Sequence, residues 1–144
     1  MTVNQHSSRP YNLDSLSLMV SHFGTRVIEP TPKTPFVCYD EFNQVLMVKG
    51  NSTNPDMQKF YHEILTEVKA NLEETDQLTV SFYFQNINTS TAKVLFDFFK
   101  YLRSMRAVGK RIHIIWSAET DNEMMETGRD FAEIYDMDFH YLAA

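Results

Sequence analysis

The sequence predicts an α/β sandwich, on three observations. Alternating apolar runs are separated by apolar stripes of helical spacing, the segments follow in the order ββαβαβαβ, and each later strand is reached through a helix. Helical crossovers join parallel neighbours, so the expected sheet is mixed but mostly parallel, of about five strands with three main helices. A chain of 144 residues with 43% hydrophobic and 13% aromatic residues can bury one core of this kind.

The elements are taken in order. Residues 1–25 contain no secretory signal, since the longest apolar run is the "LMV" of 18–20. They are expected to form a partly ordered extension, with a short amphipathic segment around Leu13, Leu16, Met19 and Val20. In "RVIEPTPKTPFVCYD", Pro30, Pro32 and Pro35 exclude a helix and favour extended chain. "FVCYD" and "QVLMVKG" read as two strands joined by "EFN". "NSTNPDMQKFYHEILTEVKANLEE" reads as a helix, with Asn54 as its cap, Pro55 at the first position and Asp56 in the first turn. Phe60, Ile64, Val68 and Leu72, widened by Tyr61 and Leu65, form its inward stripe.

"QLTVSFYF" alternates Leu78, Val80, Phe82 and Phe84 with Thr79, Ser81 and Tyr83, the signature of a strand. "STAKVLFDFFKYLRSMRAVG" gives a second helix facing inward through Leu95, Phe98, Phe99, Leu102 and Met105, with Gly109 as a stop. "RIHIIWSA" is apolar on both faces and reads as a central strand ending at a core Trp116. A third helix over 121–136 and a short strand over 137–142 complete the order.

Charge and cysteine content exclude several functions. A net charge of −6 disfavours nucleic acid or an anionic membrane as partner. Cys38 is the sole cysteine, so no internal disulfide forms, and a reduced, cytoplasmic setting is the simplest expectation. No run nears the roughly 20 apolar residues that span a bilayer. Phosphate-binding glycine loops and metal-ligand spacings are absent, so no cofactor and no metal are expected. From Ser117 onward, Glu119, Asp121, Glu123, Glu126, Asp130, Glu133, Asp136 and Asp138 face Arg129 alone, which reads as a solvated face or an acidic docking patch.

The informative stretch is the polar seam between the third strand and second helix: Asn86, Asn88, Thr89, Ser90 and Thr91. One reading is a helix cap, a role open to Asn88, Thr89, Ser90 or Thr91, because the first N–H groups of a helix need acceptors. The other is a modifiable hydroxyl. A phosphate on Thr89 would place about −1.5 to −2 charges at the positive end of a helix dipole. Lys93, one turn along, could pair with it.

"TPKTP" (31–35), "GNS" (50–52), "FY" (60–61), "NTSTAK" (88–93) and "W…DNEMMETGRDFAEI" (116–134), in this order, resemble the SiaC-type regulatory phosphoproteins. These bacterial domains have a fold similar to STAS and SpoIIAA-like anti-sigma-factor antagonists, and the resemblance covers about residues 26–142. It implies a regulatory domain over 26–144 that is not itself an enzyme. The family's phosphothreonine, in an N-T-S-S-x-K motif, falls on Thr89, with Lys93 as the motif lysine and Thr91 replacing its second serine. The implied partners are a histidine-kinase-like Ser/Thr kinase, a PP2C-type phosphatase and a diguanylate cyclase bound by the unmodified form. The alternatives are a constitutive interaction module and a small hydrolase using Cys38 or His113.

Overall fold

The computed structural model of the protein describes residues 25–120 and 123–144. The expected N-terminal extension lies, apart from Thr25, outside the described residues, as do the first two positions of the expected third helix. The elements are β1 (Arg26–Ile28), β2 (Phe36–Asp40), β3 (Val45–Ser52), α1 (Met57–Glu74), β4 (Gln77–Ile87), α2 (Thr89–Ala107), β5 (Arg111–Ala118), α3 (Glu123–Ile134) and β6 (His140–Ala143).

They form one six-stranded sheet whose spatial order is the chain order. β1, β2 and β3 run antiparallel, while β3 to β6 are parallel. Each parallel step advances one strand in the same direction. Right-handed crossovers therefore stack all three helices on one face, giving two layers. The sheet has one strand more than expected, because the segment before Pro30 pairs with β2 as an edge strand.

The core lies between the layers. The alternation in β4 places Leu78, Val80, Phe82 and Phe84 under the helices, while Thr79, Ser81 and Tyr83 stay half-buried on the other face. Around Trp116 gather Phe82, Phe84, Phe131 and Phe139, with ring centroids 5.8–6.2 Å away. Each such side chain contributes roughly 1.5–3 kcal/mol by leaving water. β5 lies one place in from the edge of the sheet, and its helix-free face is mixed: Arg111 and His113 are exposed there beside half-buried Ile115, opposite buried Ile112, Ile114 and Trp116.

Two boundaries differ from the sequence reading. α1 is capped by Asp56, whose Oδ1 accepts from Lys59 N at 3.1 Å, and not by Asn54. Asn54 Oδ1 instead accepts from Asp56 N at 3.1 Å, an Asx turn that holds Pro55 before the helix. The stripe accordingly centres on Met57, Tyr61, Ile64, Val68 and Leu72, with Phe60 and Leu65 at its margin. β6 starts three residues late because Asp136 takes a left-handed φ of 51° and Met137 N bonds Ala132 O at 2.9 Å, so the helix end uses that backbone. Gly109, at φ 99°, ends α2 as expected, and Lys110 N reaches Met105 O.

Trp116 also dictates a neighbour. Its Nε1 donates to Met124 O at 2.9 Å, drawing α3 close, and a Cβ on Gly128 would stand 2.4 Å from the indole Cδ1. Gly128→Ala is therefore expected to destabilise the fold by about 1–3 kcal/mol, despite alanine's better helix propensity. Urea unfolding followed through the single tryptophan measures it.

Candidate functional site

Three chain segments meet at the C-terminal edge of β3 and β4: the end of β3 at Ser52, the entry to α1 at 54–57, and the entry to α2 at 88–91. Right-handed crossovers place both helix N-termini beside these strand ends. The first N–H groups of each helix then need acceptors in a crowded place.

The polar seam supplies them residue by residue. Asn88 is the N-cap of α2, and its Oδ1 accepts from Thr91 N at 2.9 Å. Its Nδ2 donates to Asn54 O at 2.8 Å, tying α2 to the approach of α1. Ser90 Oγ accepts from Met57 N at 2.8 Å, so a side chain of α2 satisfies the first N–H of α1. Thr91 is 0% exposed; its Oγ1 donates to Ser52 O at 2.7 Å and lies 2.6 Å from Ser52 Oγ. Ser52 Oγ in turn lies 2.8 Å from the buried Tyr61 hydroxyl. Burial pushes the Tyr61 phenol well above its usual range, partly offset by the bond to Ser52.

Thr89 is the exception. It is the first residue of α2, it is exposed, and its hydroxyl has no hydrogen-bond partner among the described residues. The first turn of α2 carries no acidic residue, so its N-terminal partial charge is not offset there. Lys93, one turn on, is exposed as well.

The expected site residues thus separate. Asn88, Ser90 and Thr91 build the junction, and Thr89 and Lys93 face solvent. The cap is Asn88 alone among the four candidates. Ser52, Tyr61 and Asn54 were missed as members of this site, though "GNS" and "FY" contain two of them. Their signal is chemical: a serine and a tyrosine at buried positions each need a hydrogen-bond partner.

The remaining candidates are dispersed. Cys38 is 1% exposed, and its thiol is pushed up to about 12, mainly by burial and further by the charge of Asp40. His113 is exposed and lies three strands away on β5. With strands about 4.8 Å apart, the pair cannot form a nucleophile and base. His113 neighbours His140, with ring centroids 6.3 Å apart. The described acidic residues of the C-terminal segment are all exposed, which is the solvated-face reading, and Arg129 pairs with Glu126 at 3.0 Å. Among the described residues no helix is long and apolar enough to cross a membrane.

Residues 28–144 match the family model described as SiaC family regulatory phosphoprotein. The fold is similar to that of apo-SiaC from Pseudomonas aeruginosa, with a TM-score of 0.77 at 21% identity over 83% of this chain and 98% of that one. It is similar also to a chain in the crystal structure of the diguanylate cyclase SiaD in complex with its activator SiaC from the same organism. That match has a TM-score of 0.78 at 20% identity, over 83% of this chain and 99% of the other. A comparison with curated proteins returned no match.

Two substitutions separate junction from surface. Thr91→Val removes one of the two donors to Ser52 O, the other being Asn88 N, together with the hydroxyl partner of Ser52 Oγ, and is expected to cost about 1–3 kcal/mol. Thr89→Val removes a free hydroxyl and should change stability by no more than about 0.5 kcal/mol. Chemical denaturation of both variants checks the contrast. A third expectation concerns Cys38. Its folded-state pKa of about 12 lies above the ordinary 9.0, so the stabilisation it gives is complete below pH 9 and is lost as pH rises towards 12. In Cys38→Ala that part of the alkaline loss should be absent from denaturation curves.

Proposed function

We propose, on the premise that this chain belongs to the SiaC family of regulatory phosphoproteins, that it is a non-enzymatic switch controlled by phosphate on Thr89. The observation that carries the reading is the exposed, unbonded Thr89 hydroxyl, beside three polar neighbours that are each engaged in structure. A phosphate there would meet the open N-terminal end of α2 and come within a turn of Lys93. Such helix-end placement is worth roughly 0.3–1 kcal/mol, so the fold accommodates the modified state.

A partner seated on the seam would not accommodate it. Covering a phosphate without matched cations costs several kcal/mol, and each 1.4 kcal/mol is about tenfold in affinity. The unmodified chain binds its target, and phosphorylation releases it. The enzymes acting on Thr89 are a histidine-kinase-like Ser/Thr kinase and a PP2C-type phosphatase, and the target is a diguanylate cyclase. The similarity to an activator found in complex with such a cyclase supports this choice of target. The acidic, nucleotide-motif-free chain acts in the cytoplasm and takes its phosphate from the kinase.

Incubation with such a kinase and ATP should add one phosphate, located at Thr89 by fragmentation mass spectrometry and absent in Thr89→Ala. Cyclase binding should weaken at least about tenfold in the phosphorylated protein. Modification at another residue removes the proposed site. Equal cyclase binding by Thr89→Ala, Thr89→Asp and the phosphorylated chain would instead mark a constitutive interaction module.

A further inference from the structure

Two imidazoles far apart in the sequence meet on the helix-free face of the sheet. β5 and β6 pair in parallel, with Ile115 opposite His140. His113 precedes Ile115 by two residues and therefore shares its face. The two rings face each other across the strand pair, with centroids 6.3 Å apart and planes inclined at 35°. Both residues are exposed, and neither imidazole makes a hydrogen bond or an ion pair among the described residues. The fold does not need them there, because the core lies on the other face and backbone pairing already joins β6 to β5.

We propose that His113 and His140 together bind one divalent metal ion of the late first row, the class of Zn²⁺, Ni²⁺ and Cu²⁺ that imidazole nitrogen favours. Zinc–nitrogen bonds are about 2.0–2.1 Å long, so two rings on one tetrahedral ion have centroids about 5 Å apart. Closing the remaining gap of about 1 Å takes only small side-chain rotations, which exposed rings make freely. Among the described residues no third histidine, cysteine, aspartate or glutamate joins the pair. Water fills the other positions, and the site is an open surface chelate, unlike a closed structural centre. Arg111 and Asp138, each two residues before one of the histidines, are exposed and cancel in formal charge. The two imidazoles therefore carry the affinity. An ion between them fastens β6, the edge strand that backbone pairing holds on one side only. Since only the folded chain brings the rings together, bound metal also raises stability. The site is separate from Thr89 and does not rest on the proposed switch.

Calorimetric titration of the full-length chain with Zn²⁺ at neutral pH tests the chelate. His113→Ala and His140→Ala should each weaken binding by about tenfold or more. The double variant should lose no more than either single one, because one imidazole alone cannot chelate. His62→Ala, on α1, should bind as the parent chain does. Zn²⁺ should also raise the urea midpoint of the parent chain and leave that of the two strand variants unchanged. Trp116 emission confirms that each variant is folded; where alanine unfolds the chain, His113→Gln or His140→Gln replaces it. Equal Zn²⁺ affinity in all variants overturns the proposal, as does a loss confined to one histidine. Absence of binding at millimolar Zn²⁺ overturns it as well.

Discussion

The buried contact between Thr91 and Ser52 is the constraint on which the rest of the site depends. It joins the last residue of β3 to the first turn of α2, residues 39 positions apart, inside a space from which water is excluded. Two hydroxyls and a carbonyl buried together are stable only if each finds a partner, and Tyr61 supplies the third hydroxyl from α1. One small network thereby fixes the relative positions of a strand end and two helix starts. Asn88 and Ser90 complete it by satisfying backbone groups of the neighbouring helix entries.

That junction leaves room beside it for the modification proposed at Thr89. Asn88, Ser90 and Thr91 are engaged and at least partly buried, while Thr89 is exposed and its hydroxyl has no hydrogen-bond partner among the described residues. Negative charge added there meets a helix end lacking its own acidic residue. In the proposed switch, structural stability and signalling therefore fall to different side chains in one short run. Among the described residues, the acidic side chains of the C-terminal segment make no hydrogen bond or ion pair with the junction, although α3 packs against α2 through Phe131 and Phe96.

Sequence reading recovered the layers because periodicity reports burial directly. The alternation of Leu78, Val80, Phe82 and Phe84 and the helical spacing of Leu95, Phe98, Phe99 and Leu102 each have one physical interpretation. It was less successful at ends. Asn54 and Asp56 are both good caps, and which one serves depends on where the chain leaves Ser52. β6 was placed early because buried Met137 and Phe139 look like strand residues, although the backbone N–H of Met137 completes the α3 turn. β5 looked central because Ile115 and Ile114 are adjacent, whereas only one face of that strand lies under helices.

The sequence by itself determined the element order, the mixed sheet and the polar seam with Thr89 at its centre, since spacing and side-chain chemistry are local properties. Only the tertiary structure decided which seam residues are consumed. Asn88, Thr89, Ser90 and Thr91 are nearly equivalent as caps on paper, and they differ once Ser52, Asn54, Met57 and Tyr61 are brought against them. Hydrogen-bond partners drawn from distant segments cannot be read from spacing, because folding alone sets which hydroxyls lose water and which keep it.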